Sequence, residues 1–140
     1  MDVGAATSVY QYNTTSGSTP TKILYNSSST GNFTYSGGSG NLIVPSNGTY
    51  EILYSHDVSS NSTTGTKLYS GIYISDTYSG GTSSFNIQPF ATNQSYHHSG
   101  RIVRTLVMGQ AVQVKMILEG ATGSHNFTTA GAQLTLKKLN

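Results

Sequence analysis

Residues Asn41–Val58, NLIVPSNGTYEILYSHDV, decide the fold. Leu42-Ile43-Val44 is a short apolar run rich in β-branched residues. Pro45-Ser46-Asn47-Gly48 is a turn, because Pro fixes φ while Asn and Gly accept positive φ. Strict alternation follows: Tyr50, Ile52, Tyr54, His56 and Val58 point one way, and Glu51, Leu53, Ser55 and Asp57 point the other. A period of two with one apolar side is the signature of a strand with one buried face. The stretch reads as a central hairpin: short strand, tight turn, long strand.

The rest of the chain repeats the theme. Ala6–Tyr12, Lys22–Tyr25, Lys67–Ser75, Ser84–Phe90, Ser99–Met108, Gln110–Leu118 and Thr128–Leu139 read as strands. Val112, Val114, Met116, Leu118, Ala132, Leu134 and Leu136 are expected in the core. The segments between them, including Thr14–Pro20, Asn26–Gly40, Ser59–Gly65, Thr77–Ser84 and Thr92–Ser99, are rich in Ser, Gly, Asn and Thr and read as connections, Asn26–Gly40 with a small strand inside it. No helix is expected. Many short strands with polar turns point to an all-β, two-sheet antiparallel sandwich or jelly roll. With 140 residues the chain reads as a single domain, 1–140. Residues 1–20 are read as a flexible or docking N-terminal arm.

Composition narrows the function. Only 9% of residues are charged and the formal net charge is +2. The Lys and Arg residues are scattered, so no nucleic-acid partner is expected. No apolar run spans a bilayer, so no membrane insertion is expected. The N-terminus has neither the basic region nor the apolar stretch of a signal peptide. There is no cysteine, hence no disulfide frame and no thiolate chemistry.

The order of motifs resembles the tumour-necrosis-factor/C1q jelly-roll family. In that family the central segment reads apolar-Val-Pro-x-x-Gly-x-Tyr-x-apolar, as Leu42–Ile52 does. A Ser-rich strand then leads to an apolar-x-x-Gly-Asp turn, a long alternating strand and a last strand of the form Phe-x-Gly-x-apolar. Here Ser99-Gly100 leads to Leu106-Val107-Met108-Gly109, then Gln110–Leu118, then Ala130-Gly131-Ala132-Gln133-Leu134. Gln110 replaces the turn Asp and Ala130 the aromatic. The resemblance covers about Lys22 to Leu139. It implies a homotrimer, with Glu51, Leu53, Ser55, Gln133 and Thr135 facing the threefold axis across a polar seam. Arg104 falls on the core side of its strand, which calls for a bulge or for a carboxylate partner such as Glu51 or Asp57.

No constellation of catalytic residues is evident, and no cofactor is expected. His97 and His98 are adjacent on a strand and point to opposite faces, so they do not share a metal. His56 lies on the core parity of its strand and reads as a satisfied buried or rim histidine. The five acids form no carboxylate pair, and no serine sits in a nucleophile elbow. Asn13, Asn26, Asn32, Asn47, Asn61, Asn93 and Asn126 each begin an N-x-[ST] triplet, against roughly three expected from composition. They are candidate glycosylation sites, although Asn, Ser and Thr also cluster in β-turns for structural reasons. Tyr35, Tyr78 and Tyr96 lie in polar, turn-rich segments and are candidate recognition-loop residues; the competing reading is that they pack at strand ends with wet hydroxyls.

The resemblance and the composition together lead to the expectation of a non-enzymatic protein on the surface of a bacterial or archaeal virion. It would be a capsid decoration protein, spike, turret or fibre head, with a capsid protein or a host-surface receptor or glycan as partner. The alternatives are a secreted C1q-like surface glycoprotein, extracellular or on a cell surface, and a carbohydrate-binding jelly-roll module. With few ion pairs to lose, stability is expected to depend little on pH or salt.

Overall fold

The computed structural model describes residues 3–16, 19–25, 27–29, 32–36, 39–60, 65, 67–86 and 95–140. Among the described residues eleven strands follow in order: β1 (Val3–Ser16), β2 (Thr21–Lys22), β3 (Ser27–Ser29), β4 (Thr34–Ser36), β5 (Asn41–Ile43), β6 (Gly48–Ser60), β7 (Lys67–Ile74), β8 (Thr77–Asn86), β9 (Tyr96–Leu106), β10 (Ala111–Glu119) and β11 (Ser124–Lys138). A five-stranded sheet runs β3-β1-β11-β6-β9. A six-stranded sheet runs β4-β5-β10-β7-β8, with β2 also pairing β10. All pairings are antiparallel. No helix longer than a single 3-10 position occurs among the described residues. The expectation of an all-β, two-sheet jelly-roll sandwich is met.

The core lies between the sheets and comes from the predicted alternations. Tyr50, Ile52 and Val58 from β6, Val112, Val114, Met116 and Leu118 from β10, and Leu134 and Leu136 from β11 are all fully buried. Each such side chain contributes about 1.5–3 kcal/mol. Phe33 closes one side of the core, with its ring against Gly4, where a Cβ would approach to 2.5 Å, and edge-on to Tyr50.

Several expectations need correction. The central hairpin is a corner: β5 pairs with β4 and β10 in one sheet, whereas β6 pairs with β11 and β9 in the other. Val44 stays tied to the β9–β10 connection, donating to the Gln110 carbonyl (2.9 Å) and accepting from the Gly109 amide (2.9 Å). The chain then crosses the sandwich through Pro45–Asn47. Alternation fixes which face is buried but not which neighbour is paired, so the sequence could not tell a hairpin from a crossing.

Thr77–Ser84 is strand β8 and not a turn. Ser75 (φ 47°) and Asp76 (φ 67°) both take left-handed conformations and make the tight connection from β7, with Ile74 opposite Thr77. Residues 3–16, within the segment read as an arm, form β1 between β3 and β11. Lys22–Tyr25 is strand only at Thr21–Lys22, yet Ile23 and Tyr25 remain buried. Asn26–Gly40 holds two short strands, β3 and β4, where one was expected.

Arg104 has neither the bulge nor the carboxylate expected for it. The β6–β9 register runs unbroken from Gly48–Leu106 to Val58–Tyr96, with Arg104 opposite Tyr50. The strand reaches the open edge of the sandwich there. Arg104 is exposed, and its Nη2 spans to the Ser79 carbonyl of the other sheet at 2.8 Å. The irregularity lies on β11 instead, between Ala130 and Gln133, at Gly131 (φ 59°). Buried positions are odd before it (Phe127, Thr129) and even after it (Ala132, Leu134, Leu136). The extra residue swaps the two faces of the strand, as a bulge does.

Candidate functional site

The Gly131 bulge sets the outward face of the five-stranded sheet. After it, Gln133 and Thr135 of β11 turn outward beside Ser55 and Leu53 of β6, and β9 continues each row. Gln133 is opposite Ser55 and Ser55 opposite Ser99; Thr135 is opposite Leu53 and Leu53 opposite Arg101; Lys137 is opposite Glu51 and Glu51 opposite Val103. Leu53, Ser55, Ser99, Gly100, Arg101, Gln133 and Thr135 line a depression of about 510 Å³. Four residues read from the sequence as axis-facing, Leu53, Ser55, Gln133 and Thr135, are thus brought together, with Glu51 at their border.

The charges at this border are paired. Arg101 donates to Glu51 Oε1 from Nε (2.6 Å) and from Nη2 (2.5 Å). The Glu51 side chain is only 16% exposed and that of Arg101 65%, so the carboxylate is covered by its guanidinium. At the other end of the same two strands His97 Nδ1 lies 2.8 Å from Asp57 Oδ1. The sequence reading missed Ser99, Arg101 and the exposed Val103. Their signal was available, because odd positions of β9 all face outward. It was obscured by Arg104, whose polar character on the inward parity makes the strand look two-sided.

Behind this face lies a buried polar column. Tyr54 stacks on His56 with ring centroids 5.5 Å apart, and His56 stacks on His98 at 5.6 Å. His56 is 1% exposed and His98 0%. His56 Nε2 meets Ser70 Oγ at 2.9 Å. The Tyr54 hydroxyl shares its proton between the carbonyls of Gly81 (2.7 Å) and Ser70 (3.0 Å), both in the other sheet. Burial, and then the neighbouring His98 and His97, push His56 down to about 3. Burial and then His97 push His98 down to about 4. Burial also lowers His125 and raises the Tyr54 phenol. His56 is buried as its parity indicated, but only half satisfied: Nε2 has Ser70 Oγ, and Nδ1 has no hydrogen-bond partner. Its titration supplies a pH term that a count of ion pairs does not contain.

His97 is exposed and His98 buried, on opposite faces of β9. Among the described residues no group of three or more His, Asp or Glu side chains converges as metal ligands would.

The tyrosines read as recognition-loop residues sit on strands. Tyr35 is on β4; its hydroxyl donates to the Tyr25 carbonyl and accepts from the Tyr25 amide (2.7 Å). Tyr96 opens β9 and packs, half-buried, against the core. Tyr78, on β8, is 54% exposed. Of the candidate glycosylation sites, Asn32 and Asn47 are exposed, Asn126 is half-buried on β11, and Asn13 lies on β1 opposite Phe127. Asn26, Asn61 and Asn93 lie outside the described residues.

No protein-family model matches the sequence, and no curated protein matches it. Solved structures do. The globular domain of zebrafish complement 1qA protein is similar, with a TM-score of 0.63 and 12% identity over 100% of this chain and 98% of that one. The Eiger TNF from S. frugiperda is similar too, with a TM-score of 0.64 and 12% identity over 100% of this chain and 94% of that one. Sheet order, crossing corner and these likenesses agree: the chain has the jelly-roll fold of C1q globular domains and tumour-necrosis-factor ligands.

Proposed function

We propose that this chain is a non-enzymatic homotrimeric display module on the surface of a bacterial or archaeal virion, acting in capsid stabilisation or host attachment. The observation that carries the trimer is the chemistry of the outward face of the five-stranded sheet. Side chains at a threefold axis meet their own copies, so an unpaired charge there would be tripled. Here Glu51 and Arg101 cancel each other within one chain, and the centre is Leu53 flanked by Ser55, Gln133 and Thr135. Such a face can approach its copies through water and hydrogen bonds without like-charge repulsion. The virion setting is supported by the polar, low-charge composition. The exposed Asn32 and Asn47 favour a second reading, a secreted C1q-like surface glycoprotein, because both can carry a glycan.

Light scattering tests the trimer. The chain mass is 14.8 kDa, so a trimer scatters as about 44 kDa. Leu53→Asp, which places three carboxylates around the axis, should reduce the mass to that of one chain while leaving the far-UV spectrum unchanged. A wild-type mass of one chain at micromolar concentration overturns the assembly. Virion function is tested by adding trimer to stripped capsids, where a raised melting temperature is expected for decoration, and to host cells, where blocked infection is expected for attachment. Failure of both overturns the virion reading.

A further inference from the structure

The outward face of the six-stranded sheet, on the other side of the core, carries a second surface, separate from the proposed trimer face. Tyr78 is its centre. Tyr78 is more than half exposed, yet its ring is held from several sides. It lies over Gly71, where a Cβ would come within 2.9 Å of its Cε2. Tyr73 meets it edge-on, with centroids 5.6 Å apart. Its hydroxyl is hydrogen-bonded to Thr82 Oγ1. An exposed aromatic ring fixed in this way offers a flat apolar surface with little rotamer entropy left to lose on binding.

Polar groups continue from the ring without a gap. Lys115 Nζ lies 4.7 Å from the centroid of Tyr73 and 2.9 Å from Asp76 Oδ1. Lys22 Nζ reaches the same oxygen at 3.3 Å. The Gln113 amide, 1% exposed, completes the network in the orientation that suits its neighbours: turned over, its nitrogen is 3.2 Å from Asp76 Oδ1 and its oxygen 3.2 Å from Lys22 Nζ. All three contacts fall on Oδ1. The carboxylate is 64% exposed, and its Oδ2 is left to accept from a ligand. Farther along β7 the half-buried Tyr69 lies on the same face, about 13 Å from Tyr73 at four residues of strand rise, with Lys67 Nζ 5.7 Å from its centroid.

We propose that this face binds a β-linked, gluco-configured oligosaccharide, with one sugar ring on Tyr78 and its neighbours reaching Asp76 and Lys22, the more exposed of the two ammonium groups beside it. The chemistry fits on three counts. A pyranose with equatorial hydroxyls presents a flat C–H face, which is what a fixed, exposed aromatic ring accepts. Vicinal hydroxyls both donate and accept, which matches a carboxylate oxygen beside an ammonium. The patch is open and lies on a sheet, which suits an extended chain better than a branched or globular ligand. The site stands on a different sheet from the proposed trimer surface and does not depend on it.

Titration calorimetry and amide-resolved NMR of the full chain with cellohexaose and with chitohexaose test the proposal. One of the two is expected to bind and to shift resonances of Tyr73, Asp76 and Tyr78. The hexasaccharide should bind more tightly than its monosaccharide. Tyr78→Ala should weaken binding about tenfold, and Tyr78→Phe, which keeps the ring, should stay within about threefold of wild type. Asp76→Asn keeps a residue tolerant of positive φ and should also weaken binding. Leu53→Asp should leave the affinity per chain unchanged. The proposal is overturned if neither hexasaccharide shifts these resonances, if affinity is indifferent to Tyr78→Ala, or if the Tyr78-dependent ligand proves to be a protein surface such as the capsid and no sugar competes for it.

Discussion

Lowering the pH from 7 to 5 should destabilise this protein more than its few ion pairs suggest, and the buried histidines set the size of the effect. In the unfolded chain both His56 and His98 titrate near 6.5; in the fold they are held down to about 3 and about 4. Depressed folded values mean that the stability is fully present above pH 6.5 and is lost as the pH falls toward the folded values, because the unfolded state takes up the protons first. Each histidine loses about 1.4 kcal/mol per pH unit in that window, so the pair should give a slope of about 3 kcal/mol per unit. At pH 5 the loss is roughly 4 kcal/mol, a large part of the roughly 5–15 kcal/mol available to a domain. His97 is exposed and its Nδ1 lies against Asp57, so it is outside the desolvated pair. The assay is urea unfolding at fixed protein concentration between pH 7 and 5, above the range where carboxylates protonate. His98→Phe retains a ring against His56 and removes one titrating group, so it should halve the slope. A wild-type stability that is flat between pH 7 and 5, or a slope unchanged in His98→Phe, would refute this reasoning.

The core and the sheet contacts give sharper local tests. Ile52→Ala should cost about 2–5 kcal/mol and Val114→Ala about 2 kcal/mol in denaturant unfolding, because both side chains are fully buried between the sheets. Gly100→Ala should cost about 3 kcal/mol or more: its Cβ would lie 2.1 Å from the Gly81 carbonyl oxygen and 2.5 Å from the Tyr54 ring, and the oxygen belongs to the backbone of the opposite sheet. Gly123→Ala meets no atom within 4 Å, although Gly123 has φ 70°, so it should cost only about 1 kcal/mol of backbone strain. If Gly100→Ala and Gly123→Ala are equally costly, the close approach of β9 to β8 is wrong.

Legibility in the sequence followed the physics of each signal. The buried faces of β6 and β10 were readable because alternation directly encodes which side of a strand meets the core; Tyr50, Ile52, Val112 and Val114 lie where it puts them. The crossing at Pro45–Asn47 was not readable, since sheet membership is set by pairing partners remote in sequence. Strand β8 was missed because Gly80, Gly81 and the serines around them have low strand propensity. The pairing survives through register shifts opposite Ser70, Ile72 and Tyr73, and Tyr78 folds over a residue without a side chain. The candidate site was read in part. Leu53 and Ser55 follow from β6 parity, and Gln133 and Thr135 from the residues after Gly131. The pairing of Arg101 with Glu51 required the β6–β9 register, which no local pattern supplies.

The two proposed surfaces have different demands, and the sandwich separates them. A self-assembly face has to meet its own copies without uncompensated charge at its centre, which the Glu51–Arg101 pair and the Leu53 row provide. A glycan face has to stay exposed after assembly, and the six-stranded sheet lies on the opposite side of the core from the five-stranded one. In a trimer that meets through the five-stranded sheets, three copies of the Tyr78 patch would face outward around one axis. A single open patch with one exposed ring binds weakly, but linking identical sites raises the overall binding to a repeating surface by about 10²–10⁴-fold wherever the geometry allows simultaneous contact. Weak binding per chain is therefore what this arrangement requires: a display module that holds a surface through three weak contacts can release and rebind each of them, and it loses its hold when the Leu53 face is broken even though every sugar contact is still present.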